Sequence, residues 1–528
     1  MGTKISDLTE KTNPNAYDWI PIVDNDGSPI TKKARIGNML IGSYEQGAYG
    51  VEWDEVNDSY QRLGALAGFP CSQSLDDILL PIQAQMRRCV ISDAGVVQYY
   101  LDAGNSALKE DGVTASKLDG TDGQVMVEIP KFYYKYERFG NKHRWWISPT
   151  KRSGFELHPA FRKGSTEYDH RYIGAYPGVL RDVSALIYAN GLYETGLTCN
   201  FDSAEKKIIV TNGATKPFAR LEVGDKITIS GSDSNNGNFT VTSKVSDLII
   251  TVSEAIVDGS ADSGITITTQ KDFTATTGDK LASISDKAPI TYITRAQARQ
   301  LAKNRGAGWH QFDFNLISAV QLLYLTEYAD FNSQAMISAG NTQFASWYLS
   351  TDVQATGKSN ADGNGSGGQS TTNGASSDYI SYRGIEDIFG NIWQFIDGIN
   401  IRNYDPLGGT NYASYAFLCG NPTNFADDTL SNYELVPNGT LSEADGYISA
   451  LIATKLGFLP KLIDISSGEN DNICDYYYTD FDNNPNGGWR VVLVGGYAAD
   501  GGKDGVFCVR SAYASSYAHS YVGARLCF

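Results

Sequence analysis

The C-terminal part of the chain opens with Gly487-Gly488-Trp489-Arg490-Val491-Val492-Leu493-Val494-Gly495-Gly496. Within it, Val491 to Val494 form a short apolar run closed by two glycines, which predicts a buried strand leading into a turn. Two more apolar runs, Val506-Phe507-Cys508-Val509 and Arg525-Leu526-Cys527-Phe528, predict two further strands. The end of the chain is therefore expected to be a small group of strands with connecting loops.

A run of alanine, serine and tyrosine lies between the last two of these strands. It reads Arg510-Ser511-Ala512-Tyr513-Ala514-Ser515-Ser516-Tyr517-Ala518-His519-Ser520-Tyr521, with no helical period and no proline. Tyrosine buries a large amphipathic surface with few rotatable bonds to freeze, and serine adapts to its partner, as in antibody binding loops. The composition predicts either a binding loop or a tyrosine-rich surface loop that has no partner.

Spacing favours the binding loop, because the candidate contact residues sit in a frame of small glycines and serines. The candidates are Tyr497, Ala499, Asp500, Lys503, Arg510, Ala512, Tyr513, Tyr517, His519 and Tyr521. This pattern, between Gly495-Gly496 and Gly523-Ala524-Arg525, resembles the variable region of proteins diversified by retroelements, of the phage major-tropism-determinant type. In that family the adenines of Asn codons are randomised, and every candidate except Lys503 is reachable from such a codon. The resemblance implies a diversified receptor-binding face.

A second resemblance gives the expected fold. The run Gly384-Ile385-Glu386-Asp387-Ile388-Phe389-Gly390-Asn391-Ile392-Trp393-Gln394-Phe395 resembles the G-x-x-D-x-x-G-N-x-W-E-W/F signature of C-type-lectin-like domains, with Gln394 in place of the usual Glu. The run Ile129-Pro130-Lys131-Phe132-Tyr133 is similar to the opening strand of formylglycine-generating-enzyme-like domains, which share that fold. The resemblance implies an α+β fold, with a C-type-lectin-like domain formed by residues 121–185 and 271–528.

Helices are predicted within this domain. Thr294-Arg295-Ala296-Gln297 is a capping box, which predicts a helix that ends near Asn304. Asn315 is the predicted cap of a second helix whose apolar face carries Leu316, Val320, Leu323 and Tyr324. The Gly, Ser, Asn and Thr content of residues 358–377 predicts a flexible surface loop, and residues 400–486 are expected to be rich in loops.

The remaining segments are expected to be β-rich. In residues 186–270, short strands such as Lys226-Ile227-Thr228-Ile229 alternate with turns such as Asn235-Asn236-Gly237, which predicts a small all-β domain inserted into the lectin-like domain. It could act as a spacer or as a second binding module. Residues 45–120 are expected to form an intermediate β-rich segment. Arg144-Trp145-Trp146-Ile147-Ser148 is the expected partner of the strand at residues 123–136.

Residues 1–44 are expected to be an N-terminal attachment segment. Trp19-Ile20-Pro21-Ile22-Val23, an Asp26-Gly27 turn and Thr31-Lys32-Lys33-Ala34-Arg35-Ile36 predict a β-hairpin. The segment resembles the N-terminal segments of phage tail proteins, which hold a fibre or adhesin to the particle. The alternative is an edge hairpin packed on the main domain.

Charge and cysteine content exclude several classes of partner. The net charge is −17 and the sequence has no Lys/Arg-rich run, which argues against nucleic acid as a partner. The apolar runs are too short to span a membrane. The seven cysteines are scattered without a C-x-x-C, so no zinc site or disulfide framework is expected. No cofactor is expected, although pieces such as Asp480-Phe481-Asp482-Asn483-Asn484 offer oxygen ligands to Ca²⁺.

The resemblances together imply a phage tail adhesin that binds a host-cell surface receptor, protein or glycan, through the ten candidate residues. They also imply a homotrimer that joins other tail proteins through its N-terminus, made in the bacterial cytoplasm and carried on the virion. A fixed structural tail-tip protein is the alternative. An oxidoreductase of the formylglycine-generating type is disfavoured because Cys508 and Cys527 are not a closely spaced pair. No carboxylate pair points to a glycoside hydrolase, so the protein is expected not to be an enzyme.

Overall fold

The computed structural model describes two short N-terminal strands and most of the chain after residue 46. The described ranges are 19–23, 31–35, 47–212, 216–269, 278–342, 353–369, 378–437, 439–454, 457–464, 473–481 and 485–528. The chain divides into two compact units. The first comprises residues 1–85, 131–158 and 323–330, and the second comprises residues 86–130, 159–322 and 331–528.

The fold is mostly β, so the expected α+β class is wrong. Strands account for 41% of the structure and helices for 11%. The α-helices of the described residues are Arg295–Lys303, Phe314–Tyr328 and Ser333–Met336. Sheets, rather than a balanced pairing of helices with a small sheet, therefore dominate the architecture. None of the helices in the described ranges is long and apolar enough to cross a membrane.

The capping box at the first helix is confirmed, whereas the predicted cap of the second helix is wrong. The Thr294 side chain accepts a hydrogen bond from the backbone N–H of Gln297, and the Gln297 side chain accepts one from the N–H of Thr294. At the second helix it is Asp313, not Asn315, whose Oδ1 accepts from the N–H of Leu316 at 2.9 Å. Asp and Asn are both good caps, so the local sequence could not separate them.

The first unit contains an antiparallel hairpin and a five-stranded sheet. The hairpin Trp19–Val23 with Thr31–Arg35 confirms the predicted pairing. The order of the five-stranded sheet is Glu156–Leu157, Tyr133–Phe139, Lys142–Ser148, Tyr49–Asp54 and Ser59–Gly64. The predicted pairing is thus confirmed for only part of the predicted strand: Tyr133–Phe139 pairs antiparallel with Lys142–Ser148. Pro130 ends the preceding strand, Gln124–Pro130, which belongs to the second unit and pairs with other strands.

Two smaller sheets in the second unit bring distant parts of the chain together. A six-stranded sheet has the order His310–Gln311, Leu526–Cys527, His170–Gly174, Gln124–Pro130, Arg87–Ile91 and Val97–Tyr100. A three-stranded sheet has the order Ile187–Ala189, Val179–Asp182 and Lys280–Ala282. Every residue of Gln124–Pro130 is buried, as expected for a strand covered on both faces.

The stretch expected to be a small β domain forms a closed barrel in the second unit. Its strands, in barrel order, are Tyr193–Asp202, Lys207–Val210, Ile249–Val252, Gly237–Ser246, Lys226–Ser230 and Gly259–Thr269. Alternate side chains of Lys226–Ser230, those of Ile227 and Ile229, point into an apolar core of their own. Closure leaves no free sheet edge in the barrel.

The largest sheet takes five strands and the end of a sixth from residues 400–486, the segment that was expected to be rich in loops. Its order is Glu434–Leu435, Ala413–Leu418, Trp393–Tyr404, Gly488–Gly495, Gly505–Arg510, Ile473–Tyr478, Gly446–Thr454 and Gly457–Asp464, with Val522–Gly523 beside Trp393. Trp393–Tyr404 shifts register between Ile396 and Ile401, and Gly398 there has φ +73°. The bulge breaks the period-2 pattern by which a strand is recognised.

Candidate functional site

The predicted C-terminal strands are confirmed and meet at a glycine turn. Gly488–Gly495 pairs antiparallel with Gly505–Arg510. Between them, Gly495 and Gly496 have φ +92° and +80°, a region that favours glycine. A Cβ on Gly496 would lie 1.6 Å from Oδ1 of Asp504. The double glycine is therefore needed both for the turn and for the close approach of Asp504.

The serine-rich loop that follows is held by its backbone. The N–H of Ser511 donates to the carbonyl of Tyr478, and the N–H of Val491 donates to the carbonyl of Tyr513. At the other end, the N–H of Trp393 donates to the carbonyl of Tyr521 at 2.9 Å. These bonds fix the path of the loop without using the tyrosine side chains.

Five aromatic rings form a continuous row, which we call the tyrosine face: Tyr513, Tyr517, His519, Tyr521 and Tyr497. Tyr513 and Tyr517 are stacked, with ring centroids 3.6 Å apart and planes 6° apart. His519 lies 6.0 Å from Tyr517 and 4.1 Å from Tyr521. Tyr497 completes the row at 4.5 Å from Tyr521. Four of the rings are partly exposed, whereas Tyr521 is buried, at 7% exposure.

Arg510 anchors one end of the tyrosine face. Its Nη1 donates to the hydroxyl of Tyr513 at 2.8 Å, and its guanidinium carbon lies 4.0 Å from the ring centroid of Tyr478 and 4.9 Å from that of Trp393. Lys503 lies 4.6 Å from the ring centroid of Tyr476. A cation over an aromatic ring is attracted by its quadrupole, so these contacts hold both side chains beside the row.

The structure also adds aromatic residues that the sequence pattern did not indicate. Tyr478 pairs across the sheet with Arg510. Tyr292 donates its N–H to the carbonyl of His519 at 2.9 Å, and its ring stacks on Tyr193 with centroids 4.1 Å apart. The run Tyr476-Tyr477-Tyr478 is the sequence feature by which Tyr476 and Tyr478 could have been found. Nothing local marks Tyr193 or Tyr292, because they come from other parts of the chain.

Burial shifts the pKa of several titratable groups around the tyrosine face. Burial raises the pKa of Asp500 to about 6, and Arg510 opposes that shift. Burial also raises the pKa of Asp504 and of Asp475 well above the ordinary carboxyl value. It lowers the pKa of His519, which favours the neutral ring. Asp475 and Asp504 therefore favour their neutral forms, whereas a pKa of about 6 leaves Asp500 mostly ionised at neutral pH, where its charge offsets part of that of Arg510.

The ten candidates therefore differ in their contacts. Tyr497, Arg510, Tyr513, Tyr517, His519 and Tyr521 form one connected set of ring and hydroxyl contacts. Asp500 interacts with Arg510 through charge, and Lys503 reaches the same place through Tyr476 and Tyr478. Ala499 and Ala512 are half-buried and make no ring contact.

The glycine-rich signature and the terminal Gly-x-Arg are parts of one buried network. Arg525, at 0% exposure, donates from Nε to Oε1 of Gln394 at 2.7 Å. It also donates to the carbonyls of Gly174, Glu386 and Asp387. Gln394 in turn donates from Nε2 to the carbonyl of Asp387 at 2.8 Å. An amide serves here as both acceptor and donor, which an ionised glutamate could not do.

The thiols and the metal-ligand inventory bear on the enzymatic alternative. Cys508 and Cys527 are both fully buried, and burial raises the pKa of each. Within the described ranges, no group of three or more His, Cys, Asp or Glu side chains is arranged to hold a metal ion. Most of the acidic and Asn-rich pieces considered for Ca²⁺, residues 471–472 and 482–484, lie outside the described residues.

Comparison with known proteins adds no family assignment: neither the protein-family models nor the curated proteins give a match to this chain.

Proposed function

We propose that this protein is a phage tail adhesin that binds a host-cell surface receptor through the tyrosine face and the residues around it. The observation that carries the proposal is the continuous row of Tyr513, Tyr517, His519, Tyr521 and Tyr497. Rigid tyrosines supply contact area at low entropic cost, and the serines and alanines between them let a partner approach.

Pre-organisation is the physical argument for binding. The stacking of Tyr513 on Tyr517 and the 2.7 Å contact between the hydroxyls of Tyr517 and Tyr521 hold these side chains in one arrangement before a partner arrives. Side chains that are already ordered lose less entropy on binding. Arg510 adds a cation with aromatic neighbours, the residue types enriched among interface hot spots.

Thiol chemistry is the less favoured function. A reactive cysteine needs an accessible thiolate, whereas Cys508 is buried with its pKa raised. We therefore propose a binding protein rather than an oxidoreductase of the formylglycine-generating type.

The assembly is proposed on the resemblances of the sequence. The N-terminal hairpin, Trp19–Val23 with Thr31–Arg35, would attach the protein to other tail proteins on the virion. Three copies in a homotrimer would present three tyrosine faces, and several weak contacts would then give strong overall attachment through avidity.

The direct test replaces two anchors at once. Tyr513→Ala with Tyr517→Ala removes the stacked pair and is expected to weaken binding of the purified protein to host cells by about 100-fold, since each such anchor contributes about 1–2 kcal/mol or more. The matched control is Tyr404→Ala with Tyr415→Ala, a partly exposed ring pair with centroids 5.2 Å apart in the same sheet. Flow cytometry measures binding, and near-UV circular dichroism checks folding.

Equal binding by the folded Tyr513/Tyr517 double variant and the wild type would reject the tyrosine face as the contact surface. Sequencing the 3′ end of the gene in a population grown from one plaque separates a diversified adhesin from a fixed tail tip. Substitutions at the codons for the candidate residues, with Gly495, Gly496 and Arg525 unchanged, are expected for a diversified adhesin. A uniform sequence would favour the fixed tail-tip protein.

A further inference from the structure

A cleft in the second unit has no role in the function proposed above. It has two connected lobes of about 440 Å³ and about 580 Å³, sizes typical of small-molecule sites. The lobes share Gly120, Thr121, Arg181 and Tyr188. Its walls come from the loop before Gln124–Pro130, from the strands Val179–Asp182 and Ile187–Ala189, and from a turn of the barrel that contains Val223.

Arg181 is the central cation of the cleft. Its guanidinium carbon lies 4.8 Å from the ring centroid of Tyr188, its cross-strand partner in the sheet. In the part of the chain that the structure describes, no carboxylate lies within ion-pair distance of it, whereas arginines such as Arg299 and Arg171 are paired with aspartates. An arginine held by a ring, with its planar donor edge unused, is suited to a carboxylate.

Arg305 adds a buried charge that is incompletely satisfied. Its side chain is only 2% exposed, its Nε donates to the carbonyl of Leu281 at 2.8 Å, and its Nη1 is paired with Asp93. Its Nη2 has no hydrogen-bond partner among the described residues. Lys280 also lines this lobe and shares Asp93 as its counter-ion, at 3.1 Å. Because Nη2 is itself buried, Arg305 acts on a ligand in the cleft through its charge.

The charges of this lobe leave an excess of cation in an acidic protein. Arg181, Lys280 and Arg305 carry positive charge, and Asp93 and Asp122 carry negative charge. Asp93 is used by two of the cations, and Oδ2 of Asp122 accepts from the hydroxyl of Tyr99 at 2.9 Å. The lobe therefore favours an anionic group in a chain whose net charge is −17.

The second lobe combines exposed apolar groups with charged ones: Arg181, Lys287, Asp119, Glu222 and Asp225 line it, and Glu222 is paired with Lys287 at 2.5 Å. Leu186 and Val223 line it and are 72% and 66% exposed. Leu186 has φ +60° because it lies in the turn that joins the paired strands Val179–Asp182 and Ile187–Ala189, and this turn holds its side chain out into the lobe. Asp119 and Thr121 stand beside these apolar groups. Carboxylate and hydroxyl acceptors next to apolar contacts match the alternating hydroxyls and C–H faces of a sugar ring.

We propose that this cleft binds a carboxylate-bearing sugar, a uronic or sialic acid residue of a glycan. The carboxylate of the sugar pairs with Arg181. Its negative charge offsets the excess positive charge of the lobe that Lys280 and Arg305 line. The hydroxyls donate to Asp119 and Asp122, and the apolar side of the ring lies on Leu186 and Val223. The residues of this cleft are separate from the tyrosine face, so the proposal stands independently of the receptor-binding role of that face.

The test uses the full-length protein with free glucuronate, the neutral methyl ester of glucuronate, N-acetylneuraminate and glucose as probes. Saturation-transfer NMR is expected to detect at least one of the two acids, and transfer to the methyl ester and to glucose is expected to be at least about tenfold weaker, since one charge-assisted pair contributes about that factor. Arg181→Gln is expected to abolish the signal of the acid.

Arg402→Gln is the matched control, because Arg402 also lies over an aromatic ring, 4.4 Å from the centroid of Tyr404, outside the cleft. It is expected to bind the acid as the wild type does. Signals of equal strength from glucuronate and its methyl ester would overturn the proposal without any variant, as would the absence of signal from both acids. Binding of an acidic peptide but of neither sugar acid would also overturn it.

Discussion

Replacing Arg525 by methionine tests the network that ties the end of the chain to the glycine-rich signature. The guanidinium makes four hydrogen bonds, to Oε1 of Gln394 and to the carbonyls of Gly174, Glu386 and Asp387, at 2.7 to 2.8 Å. Burial lowers the pKa of Arg525 to about 10, so the group is still charged at neutral pH. Methionine fills much of the same volume and makes none of these bonds.

The magnitude follows from two opposing effects. Four hydrogen bonds from a charged donor, at about 1.5–3 kcal/mol each, give a gross loss of roughly 6–12 kcal/mol. Removing the guanidinium also removes the cost of burying it, which is several kcal/mol. The net loss in free energy of unfolding is therefore expected to be roughly 3–5 kcal/mol.

Urea unfolding followed by near-UV circular dichroism measures this loss as a shift of the transition midpoint. With a slope of about 2–3 kcal/mol per molar urea, the midpoint of Arg525→Met is expected to fall by about 1–2 M. Arg402→Met, which removes ring contacts with Tyr404 and Trp489, is the control and is expected to cost less than about 1 kcal/mol. Similar midpoints for the two variants would refute the network as a source of stability.

Two further outcomes are expected from the turn beneath the tyrosine face. Gly496→Ala places a Cβ 1.6 Å from Asp504 and should lower the melting temperature more than Gly488→Ala does. Gly488 also has a positive φ, but a Cβ there meets open space. Equal losses in melting temperature would mean that a small shift relieves the contact with Asp504. Because burial raises the folded-state pKa of Asp500 to about 6 above its ordinary value near 3.8, the native state binds the extra proton, and stability should fall as pH rises from about 4 to 6. Asp500→Asn should flatten that part of the urea-midpoint profile, and an unchanged profile would reject Asp500 as its source.

Features set by neighbouring residues were predictable from the sequence. The apolar run at Val491–Val494 and the double glycine predicted a strand and turn, because burial period and positive φ are local properties. The capping box at Thr294 was predictable for the same reason. The hairpin Trp19–Val23 with Thr31–Arg35 follows from two strands and an Asp-Gly turn.

The fold class was predicted wrongly because many strands pair with partners that are distant in the sequence. The strands Gly446–Thr454 and Gly457–Asp464 pair with each other and then, through Ile473–Tyr478, with Gly505–Arg510. Their polar and glycine-containing surroundings are typical of loops, and no local pattern names the partner strand. Ser359 shows the converse: in a segment expected to be a flexible loop, its N–H group and its hydroxyl both donate to the buried carboxylate of Glu386.

The candidate face was predictable as a set of positions but not as a surface. Its own tyrosines follow from the spacing of the small residues, whereas Trp393 and Tyr478 join it because their strands neighbour Gly488–Gly495 and Gly505–Arg510 in the sheet. Tyr292 joins it through a backbone hydrogen bond to His519. Contacts of this kind depend on the tertiary arrangement and leave no mark in the local sequence.

In the loop that bears the tyrosine face, the support of the backbone is divided from the identity of the side chains, because backbone hydrogen bonds hold the path of the loop. The carbonyls of Tyr513, His519 and Tyr521 accept hydrogen bonds from backbone N–H groups elsewhere in the unit, and any residue at these positions supplies the same carbonyl. Tyr513 and His519 are half-buried, with Tyr513 at the edge of the core cluster around Trp393, so they contribute less to the buried core than a fully buried ring does. Tyr521, at 7% exposure, also packs in the core beside Trp393, so a change there affects stability as well as binding. A scaffold with this division is suited to changing its partner while keeping its fold, which supports the proposed adhesin over a fixed tail tip.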